Sequence, residues 1–268
     1  MITSLLVTLF FYQWIQICIS LWVHRSTTHR ALDTHPILQH IFRFSLWCTH
    51  KIMQPENWLQ RYAAKHRIHH LYSDTKQDHQ SPRNYALKEL LDFSKAHVPG
   101  SANYVSQSDI QKYAPDVKTP NDWIERNLYK KYPNLGRYTT EILLLVWLGW
   151  WGLLPVIFIE FSPILSILIF NVWPHTPSLG YTHSWMSKEL RDDSRNLFPV
   201  GFLHLGDELH QNHHMYPNSI SNRVYWYEFD LGYIYIKLFS YLGLMTNLQP
   251  TPRSGKARRY KNENSTLH

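Results

Sequence analysis

Nine of the 17 histidines of this 268-residue chain fall in short groups with regular spacing. The groups are HRSTTH with His24 and His29, HRIHH with His66, His69 and His70, HQNHH with His210, His213 and His214, and His175 alone, four residues after Asn171. In H-x2-H-H the three residues are i, i+3 and i+4, which share one face of an α-helix, so their rings can converge on one point. A pair five residues apart shares no such face, which favours a metal beside a helix end for H-x4-H.

The number of histidines predicts two metal ions. Two copies of H-x2-H-H are far more than the roughly 0.06 copies expected by chance at this histidine content. Any one group alone is also compatible with surface or packing histidines. Neutral imidazole binds iron, zinc, copper and nickel, whereas a structural zinc uses four ligands and usually includes cysteine. Eight or nine imidazoles suit two metals; we favour a redox-active iron pair, although ligand type leaves zinc and copper open.

Two apolar stretches indicate a membrane protein. Residues 1–23 carry no charge, and as a helix they reach roughly 35 Å, enough for a hydrocarbon core of about 30 Å. No basic start or cleavage site is present, which favours an anchor over a signal peptide. The only charged residues in 138–174 are Glu141 and Glu160. Because this stretch also contains residues that favour a turn or kink, we expect it to form a helical hairpin. These residues are Gly149, Gly152, Pro155 and Pro163. The alternative is a buried helix pair in a soluble protein.

The charges place both basic regions on one side of that membrane. All 27 Lys and Arg residues lie at 25–137 or 188–261, outside the apolar stretches, so the positive-inside rule puts both regions in the cytoplasm. We therefore predict an all-α integral membrane protein with about three transmembrane helices, interfacial helices and a cytoplasmic histidine-rich helical cap. The net charge of +7 suits anionic lipid or an anionic acyl carrier, and no nucleic-acid recognition element is seen.

The predicted organisation is one membrane domain over residues 1–248. Its crossings are expected at about 3–23, 139–155 and 158–174, its cap at 24–137 and 175–248, and a basic, disordered tail at 249–268. Further predictions are an interfacial or re-entrant helix at 37–47, a helix at 57–71, loops at 73–84 and 178–196, and a membrane-surface helix at 228–244. Cys18 and Cys48 are expected to pack, not to pair.

The motifs HRSTTHR, HRIHH and HQNHH, in this order around a hydrophobic hairpin, resemble those of membrane fatty acid desaturases of the stearoyl-type, delta-9-like acyl-CoA class, in a bacterial-type form. The resemblance covers about residues 21–248 and includes DDSRN at 192–196, HQNHHMYP at 210–217 and the stretch WYEFDLGYIYIKLFSYLGL at 226–244. It implies that the eight histidines of the three boxes bind two irons. It also implies that an N-x3-H motif supplies His175 as a ninth ligand, with Asn171 holding a metal-bound water. The chain departs from the family in having room for one crossing before the first box, and in the sequence around His175.

The resemblance implies a di-iron, dioxygen-dependent desaturase that introduces a cis double bond into a fatty acyl chain. An unactivated methylene needs a strong oxidant, which is work for a metal and dioxygen. The acyl carrier would be CoA, a carrier protein or a phospholipid. Electrons would come from a separate ferredoxin, rubredoxin or b-type cytochrome with its reductase. The enzyme would lie in the bacterial inner membrane with its site on the cytoplasmic side. A membrane di-iron hydroxylase or other oxygenase is the main alternative; a non-catalytic metal-binding protein or transporter is another.

Carboxylates near the boxes are expected to orient the imidazoles. The candidates are Asp74, Asp207, Glu208, Glu228 and Asp230, each of which could also be an ordinary surface residue. Arg25, Arg67 and Arg195 could meet an anionic headgroup, or only set the topology. The remaining eight histidines fit no group and are predicted to be structural or exposed.

Overall fold

Helices make up almost all of the regular structure in this computed structural model, which describes residues 1–50 and 57–259. The α-helices are α1 Ile2–Gln16, α2 Pro36–Thr49, α3 Trp58–Tyr72, α4 Leu87–Leu90, α5 Gln107–Tyr113, α6 Leu135–Leu148, α7 Leu153–Ile167, α8 Ser184–Leu190, α9 His210–Met215 and α10 Leu231–Tyr241. The strands are β1 Asp33–Thr34, β2 Val200–Gly201, β3 Phe229–Asp230 and β4 Met245–Thr246. β1 pairs with β4 antiparallel, and β2 pairs with β3 parallel.

The first apolar helix is longer than predicted. Helix α1 continues without a break into a π-helical segment, Ile17–Thr28, so that one run of 27 residues covers Ile2–Thr28. At about 1.5 Å per residue this run reaches roughly 40 Å, longer than a hydrocarbon core. The first histidine box is therefore the end of this helix, and the predicted boundary of the cap at residue 24 falls inside it.

The second apolar run, Leu135–His175, turns back on itself. Helix α6 ends at Leu148, and a 3-10 turn over Gly149–Gly152 leads into α7. Gly149 has a φ of +57°, which favours glycine, and a Cβ at Gly152 would lie 2.5 Å from the Leu144 carbonyl oxygen. Further along the two helices, buried Arg137 forms ion pairs with Glu141 and Glu160. These contacts make the run a helical hairpin.

Helix α1 and helix α7 lie side by side and in the same direction. Ser4 Oγ near the start of α1 donates to the carbonyl of Trp151 at the hairpin turn, at 2.5 Å. Further along, the ring centroids of Tyr12 and Phe158 are 5.4 Å apart, and those of His24 and Phe170 are 5.8 Å apart. The first histidine box and His175 therefore lie at the same end of the helices.

Large apolar side chains remain exposed along this helical layer. They are Leu5, Leu6, Leu9 and Phe10 on α1, Ile142, Leu143, Val146 and Trp147 on α6, Trp150 and Trp151 in the turn, and Ile157 and Phe161 on α7. Exposed apolar surface of this extent is typical of contact with a membrane. Within residues 1–50 and 57–259, the structure thus contains two helical runs long and apolar enough to cross a bilayer, one of them a hairpin.

Helix α2 spans the predicted interfacial segment and is amphipathic. It buries Leu38, Phe42 and Leu46, while Ile37 and Phe44 stay more than half exposed.

Two sequence predictions about secondary structure in the C-terminal half need correction. The loop expected at 178–196 contains helix α8, which buries Met186. The helix expected at 228–244 is shorter and covers Leu231–Tyr241. It begins at Leu231 because the Asp230 side chain caps it by accepting a hydrogen bond from the Tyr233 amide at 3.0 Å.

The cysteines and the chain end add two details. Cys18 is buried, Cys48 is half-buried, and neither forms a disulfide.

Residues 249–259 belong to the tail predicted to be disordered, but they contact the domain. The Gln249 amide donates to the Ala31 carbonyl at 2.8 Å, and Ala257 packs against the buried cluster around Met186. The rest of that tail, 260–268, lies outside the described residues.

Arg25 does not face a headgroup; it is buried and fastens the first box to the rest of the cap. Its guanidinium donates to both carboxylate oxygens of Asp230, at 3.1 and 3.2 Å, and to the carbonyls of Ile220 and Leu205. Asp207 lies 3.4 Å away. Both Asp230 and Asp207 are buried, so removing the guanidinium would leave uncompensated charge.

We expect the substitution Arg25→Ala to lower the free energy of unfolding by about 3–5 kcal/mol, the cost of breaking a buried ion pair on one side. Thermal unfolding of the detergent-solubilised protein measures this. The matched control is Arg253→Ala on the exposed tail, which should unfold within about 0.5 kcal/mol of the wild type. Equal stability of the two variants would contradict the role given to Arg25.

Candidate metal centre

All nine histidines singled out from the sequence are buried, with at most 6% of each side chain exposed. The structure brings them together in two adjacent groups. The five-histidine group contains His24, His29, His66, His70 and His213; the four-histidine group contains His69, His175, His210 and His214. Within each group the facing ring nitrogens lie within 4.8 Å of one another. The groups touch, since the ring centroids of His70 and His214 are 4.4 Å apart.

Each H-x2-H-H box is divided between the two groups, so the expectation that its three rings converge on one point is wrong. On α3, His66 and His70 join the five-histidine group, while His69 joins the other. On α9 the i and i+4 residues, His210 and His214, join the four-histidine group. The reason is helical geometry: at about 100° per residue, i and i+4 are about 40° apart, whereas i+3 is about 100° from i+4.

The five-histidine group has the geometry of a metal site. The Nε2 atoms of His24, His66, His70 and His213 form a closed ring with edges of 3.0, 3.1, 3.0 and 3.1 Å. Four imidazole nitrogens this close together form a donor set that would fit a metal ion. The His29 ring lies 4.6 to 5.0 Å from the four other rings, and its Nε2 is buried without a hydrogen-bond partner. His29 therefore offers a fifth ring nitrogen that could bind a metal together with these four.

A π-helical turn brings the H-x4-H pair together. The His29 amide donates to the His24 carbonyl at 3.0 Å, which is the i to i+5 bond of a π-helix. That turn puts the two rings on one side, with centroids 4.8 Å apart. The pair does lie at a helix end, as the sequence predicted, but the five-residue spacing is accommodated by the wider turn within the helix.

Carboxylates hold three rings of the four-histidine group. His69 Nδ1 lies 2.8 Å from Asp78, His175 Nδ1 lies 2.8 Å from Asp74, and His214 Nδ1 lies 2.9 Å from Asp192. A carboxylate on Nδ1 fixes the proton there and leaves the Nε2 lone pair pointing the other way. Accordingly, the Nε2 atoms of His69 and His214 are buried without partners, and that of His175 faces His210 Nε2 at 3.0 Å.

Electrostatics favour the neutral form of six of the nine rings. Burial, followed by the neighbouring histidines, lowers the pKa of His29, His66, His70, His210 and His213 well below the ordinary value. Burial also lowers the pKa of His214 to about 4, although Asp192 opposes it. Neutral rings whose lone pairs converge repel one another, and a cation between them removes that repulsion. The donor set thus fits a metal ion in each group.

Of the five carboxylates predicted to orient the imidazoles, two lie beside a ring of the two groups and three have other partners. Asp74 holds His175, and Asp207 lies 3.5 Å from His24 Nδ1. Glu228 instead accepts from His183 and Asn212, and Asp230 binds Arg25. Glu208 accepts from the amides of His204 and Gly206. Asp78 and Asp192 were missed as ring partners, although the DDSRN stretch had drawn attention to the second.

Asn171 and the remaining histidines stand apart from the two groups. The Asn171 Nδ2 donates to the Gln80 carbonyl at 3.0 Å, and its predicted role in holding a metal-bound water stays a prediction. His204 is buried, and its Nδ1 lies 3.1 Å from the Tyr12 hydroxyl. In the described part of the chain, the histidines outside the nine belong to neither group.

The lowered pKa values predict an acid-sensitive apoprotein. In the unfolded chain these histidines take up protons near pH 6.5, whereas the folded metal-free protein does not until lower pH. The unfolded state then binds more protons, so stability falls as the pH falls. His69 and Glu208 oppose this. Burial lowers the pKa of His69, but Asp78, Asp74 and Asp192 together raise it, and burial raises the pKa of Glu208 to about 7; the six rings outnumber these two groups. We expect the melting temperature of the metal-free protein to fall as the pH is lowered from about 7.5 to about 5.5. The melting temperature of the metal-loaded protein should fall only at lower pH, because bound metal excludes protons from the rings. A flat profile for the apoprotein would contradict this electrostatic description.

Comparison with known proteins places the chain. No protein-family model matches it. It is 27% identical over 246 residues to the sn-1 stearoyl-lipid 9-desaturase of Synechocystis sp., covering 90% of this chain and 70% of that protein. It is 28% identical over 240 residues to the enzyme of the same name from Anabaena variabilis, covering 86% and 78%. It is 31% identical over 258 residues to the hex-5-enoyl-[acyl-carrier protein] acetylenase of Moorena producens, covering 90% and 75%.

These similarities extend over 86–90% of the chain. The chain belongs to the delta-9-like fatty acid desaturase family. It is therefore an oxidoreductase of lipid metabolism, and its two buried histidine groups indicate metal binding.

Proposed function

We propose that the protein is a di-iron, dioxygen-dependent desaturase that introduces a cis double bond into a fatty acyl chain. The observation that carries the proposal is the pair of touching histidine groups, each with converging, buried ring nitrogens. We assign the ligands of one iron to His24, His29, His66, His70 and His213, and those of the other to His69, His175, His210 and His214. Asn171 is proposed to hold a metal-bound water through its side-chain oxygen.

The division of each box between two groups supports a metal pair that works as a unit. His69 and His70 are adjacent on α3, and His213 and His214 are adjacent on α9, so each helix contributes to both groups. A shift of either helix would move ligands in both. Iron and dioxygen supply the oxidant that a methylene C–H bond requires.

The chain's own residues have the task of holding that chemistry in place. Asp74, Asp78 and Asp192 fix three rings with Nε2 inward, and Asp207 lies beside His24. Each of the nine rings is at most 6% exposed, which keeps bulk water from the reacting centre. Arg25 fixes the segment carrying Asp207 and Asp230 against the first box.

We further propose three membrane crossings, one by Ile2–Thr28 and two by the hairpin of Leu135–His175, with the histidine groups on the cytoplasmic side. This topology is supported by the common end at which His24, His29 and His175 lie, and by the exposed apolar surface of α1, α6 and α7. The basic residues near the histidines agree with the positive-inside rule. A bacterial cytoplasmic membrane would suit this arrangement.

The substrate is proposed to be a fatty acyl chain at the membrane surface, carried by a lipid, a carrier protein or CoA. The names of the relatives support the first two carriers: two act on a stearoyl lipid, and one on an acyl-carrier protein. Electrons are proposed to come from a separate carrier such as a ferredoxin, a rubredoxin or a b-type cytochrome.

The test is the acyl composition of cells that express the protein in a host without desaturases. The expected result is a new cis-unsaturated acyl chain, located by mass spectrometry of derivatised lipids, CoA esters and carrier-bound acyl chains. The inactive control is His213→Ala expressed at the same level. A hydroxylated acyl chain without a double bond would overturn the proposal in favour of the hydroxylase alternative.

A further inference from the structure

A wide cleft opens onto the five-histidine group from the polar side of the protein. Its volume is about 940 Å³, and two of the nine rings, His29 and His70, form part of its lining. Five cations line it: Arg30, Arg67, Lys112, Arg258 and Arg259. Among the described residues that line the cleft, none is acidic.

The charge of this cleft is only partly neutralised. Arg30 and Arg67 share the carboxylate of Asp116, and Arg259 lies 3.6 Å from Glu189. Lys112 and Arg258 are exposed and form no ion pair within the described residues. Three of the five positive charges therefore have a carboxylate partner nearby, and an uncompensated positive field remains at the mouth.

Arg258 and Arg259, at the end of a strap formed by residues 249–259, line one side of the cleft. Gln249 bonds to Ala31 at one end of the strap. At the other end Arg259 lies 5.2 Å above the Trp185 ring, and Ala257 packs against the cluster around Met186. These contacts hold the Arg258 and Arg259 side chains beside the cleft that leads to the histidines.

The cleft is also where the proposed metal ligands come nearest to solvent. His29 and His70 are 6% and 5% exposed, His66 is 4% exposed, and the other six rings are 0–1% exposed. An electron arriving at the cleft floor meets an imidazole of the five-histidine group directly. Outside the cleft, His66 is 4% exposed and the other six ligands are almost fully covered.

We propose that this cleft is the docking surface for a protein electron donor with an acidic face, whose electrons enter through His29 and His70. The proposal rests on the proposed function. Desaturation removes two hydrogens from the acyl chain and reduces dioxygen to two waters, which consumes two further electrons and two protons. A one-electron carrier must therefore dock twice per turnover. Exposed, unpaired cations suit such brief encounters, because complementary charge raises the association rate more than the affinity.

The phosphate of an acyl carrier is the competing occupant. A phosphate site gathers its donors around one anion, whereas Lys112, Arg258 and Arg259 are exposed along the rim of a wide cleft. The arrangement favours a broad acidic surface over a single phosphate group.

The test compares two charge-reversal variants of the full, iron-loaded protein in detergent. Lys112→Glu/Arg258→Glu changes the cleft; Lys88→Glu/Lys130→Glu is the matched control, since both of its lysines are exposed and outside the cleft. Stopped-flow spectroscopy follows reduction of the metal centre by an acidic [2Fe–2S] ferredoxin, by an acidic b-type cytochrome, and by reduced methyl viologen, a small cation.

We expect the cleft variant to be reduced by at least one protein donor about tenfold or more slowly than the wild type at low salt, with a weaker salt dependence. The control variant should be reduced by the protein donors at the wild-type rate. Methyl viologen should reduce both variants at least as fast as it reduces the wild type. Wild-type rates for the cleft variant with both protein donors would overturn the proposal. A raised KM of the cleft variant for the acyl substrate, with an unchanged rate of reduction of the metal centre, would also overturn it. That result would assign the cleft to the phosphate of the acyl carrier. Failure of methyl viologen to reduce the wild type would instead refute the redox function itself.

Discussion

Replacing His210 with alanine should remove one of the two proposed irons and lower product formation at least about 10³-fold, beyond the about 10–100-fold typical of residues that only support a metal ligand. His210 belongs to the four-histidine group, which would be left with three nitrogens. Its Nε2 lies 3.0 Å from that of His175, so the vacancy would also loosen the remaining set. Metal content per chain and a desaturation assay on the same preparation measure both effects.

The two groups should respond differently to the loss of one ring. His29→Ala leaves the ring of four Nε2 atoms intact, so this variant should retain more metal than His210→Ala, even where activity falls. His97→Ala, at an exposed position outside both groups, is the control and should behave as the wild type. Full metal content and activity in His210→Ala would refute its assignment as a ligand.

The substitution Asp192→Asn should lower metal affinity or activity about 10–100-fold, the usual effect of changing a group that orients a metal-bound histidine. The carboxylate of Asp192 accepts from His214 Nδ1 at 2.9 Å and from Ser194. Histidines 214 and 175 hold its pKa well below the ordinary range despite burial, so it is charged at neutral pH. An amide of the same shape keeps the packing but loses the charge that favours a proton on Nδ1.

The neighbouring residue provides a matched control. Asp193 is partly exposed and forms an ion pair with Arg83, and its side chain touches none of the nine rings. Asp193→Asn should therefore bind metal as the wild type does, when both variants are titrated with iron and compared by affinity. If Asp192→Asn and Asp193→Asn have the same affinity, the carboxylate does not tune His214.

Most of the candidate site could be predicted from the sequence because its signal is local. The periodicity of H-x2-H-H and the two apolar stretches each depend on residues a few positions apart, and they identified the nine rings that the structure brings together. The hairpin could be predicted for the same reason, since its turn lies at glycines within one apolar run.

The division of ligands between two groups depends on distances that no local pattern contains. His213 joins a ring with His24, which is 189 residues away, and only the packing of α9 against α3 and the π-helical segment decides this. The π-helical turn at the first box was equally hidden, because the choice between i+4 and i+5 bonds depends on what the helix end must reach.

The ring-holding carboxylates show the same limit. Asp78 was overlooked because a loop aspartate eight residues after His70 has no periodic relation to the box, and its contact with His69 depends on the turn at 73–78. Arg25 was interpreted by its charge and its place beside a membrane, whereas its burial depends on Asp230, 205 residues further along the chain. Residues 249–259 looked disordered by composition but are held by contacts with Ala31 and Trp185.

The most direct measurement of the central claim is the metal content of catalytically active protein. Inductively coupled plasma mass spectrometry on a purified preparation, with turnover assayed on the same sample, should give two irons per chain, rising and falling together with activity as iron is removed and restored. Full activity with fewer than two metals per chain, or with zinc in place of iron, would contradict a di-iron centre held by the two histidine groups.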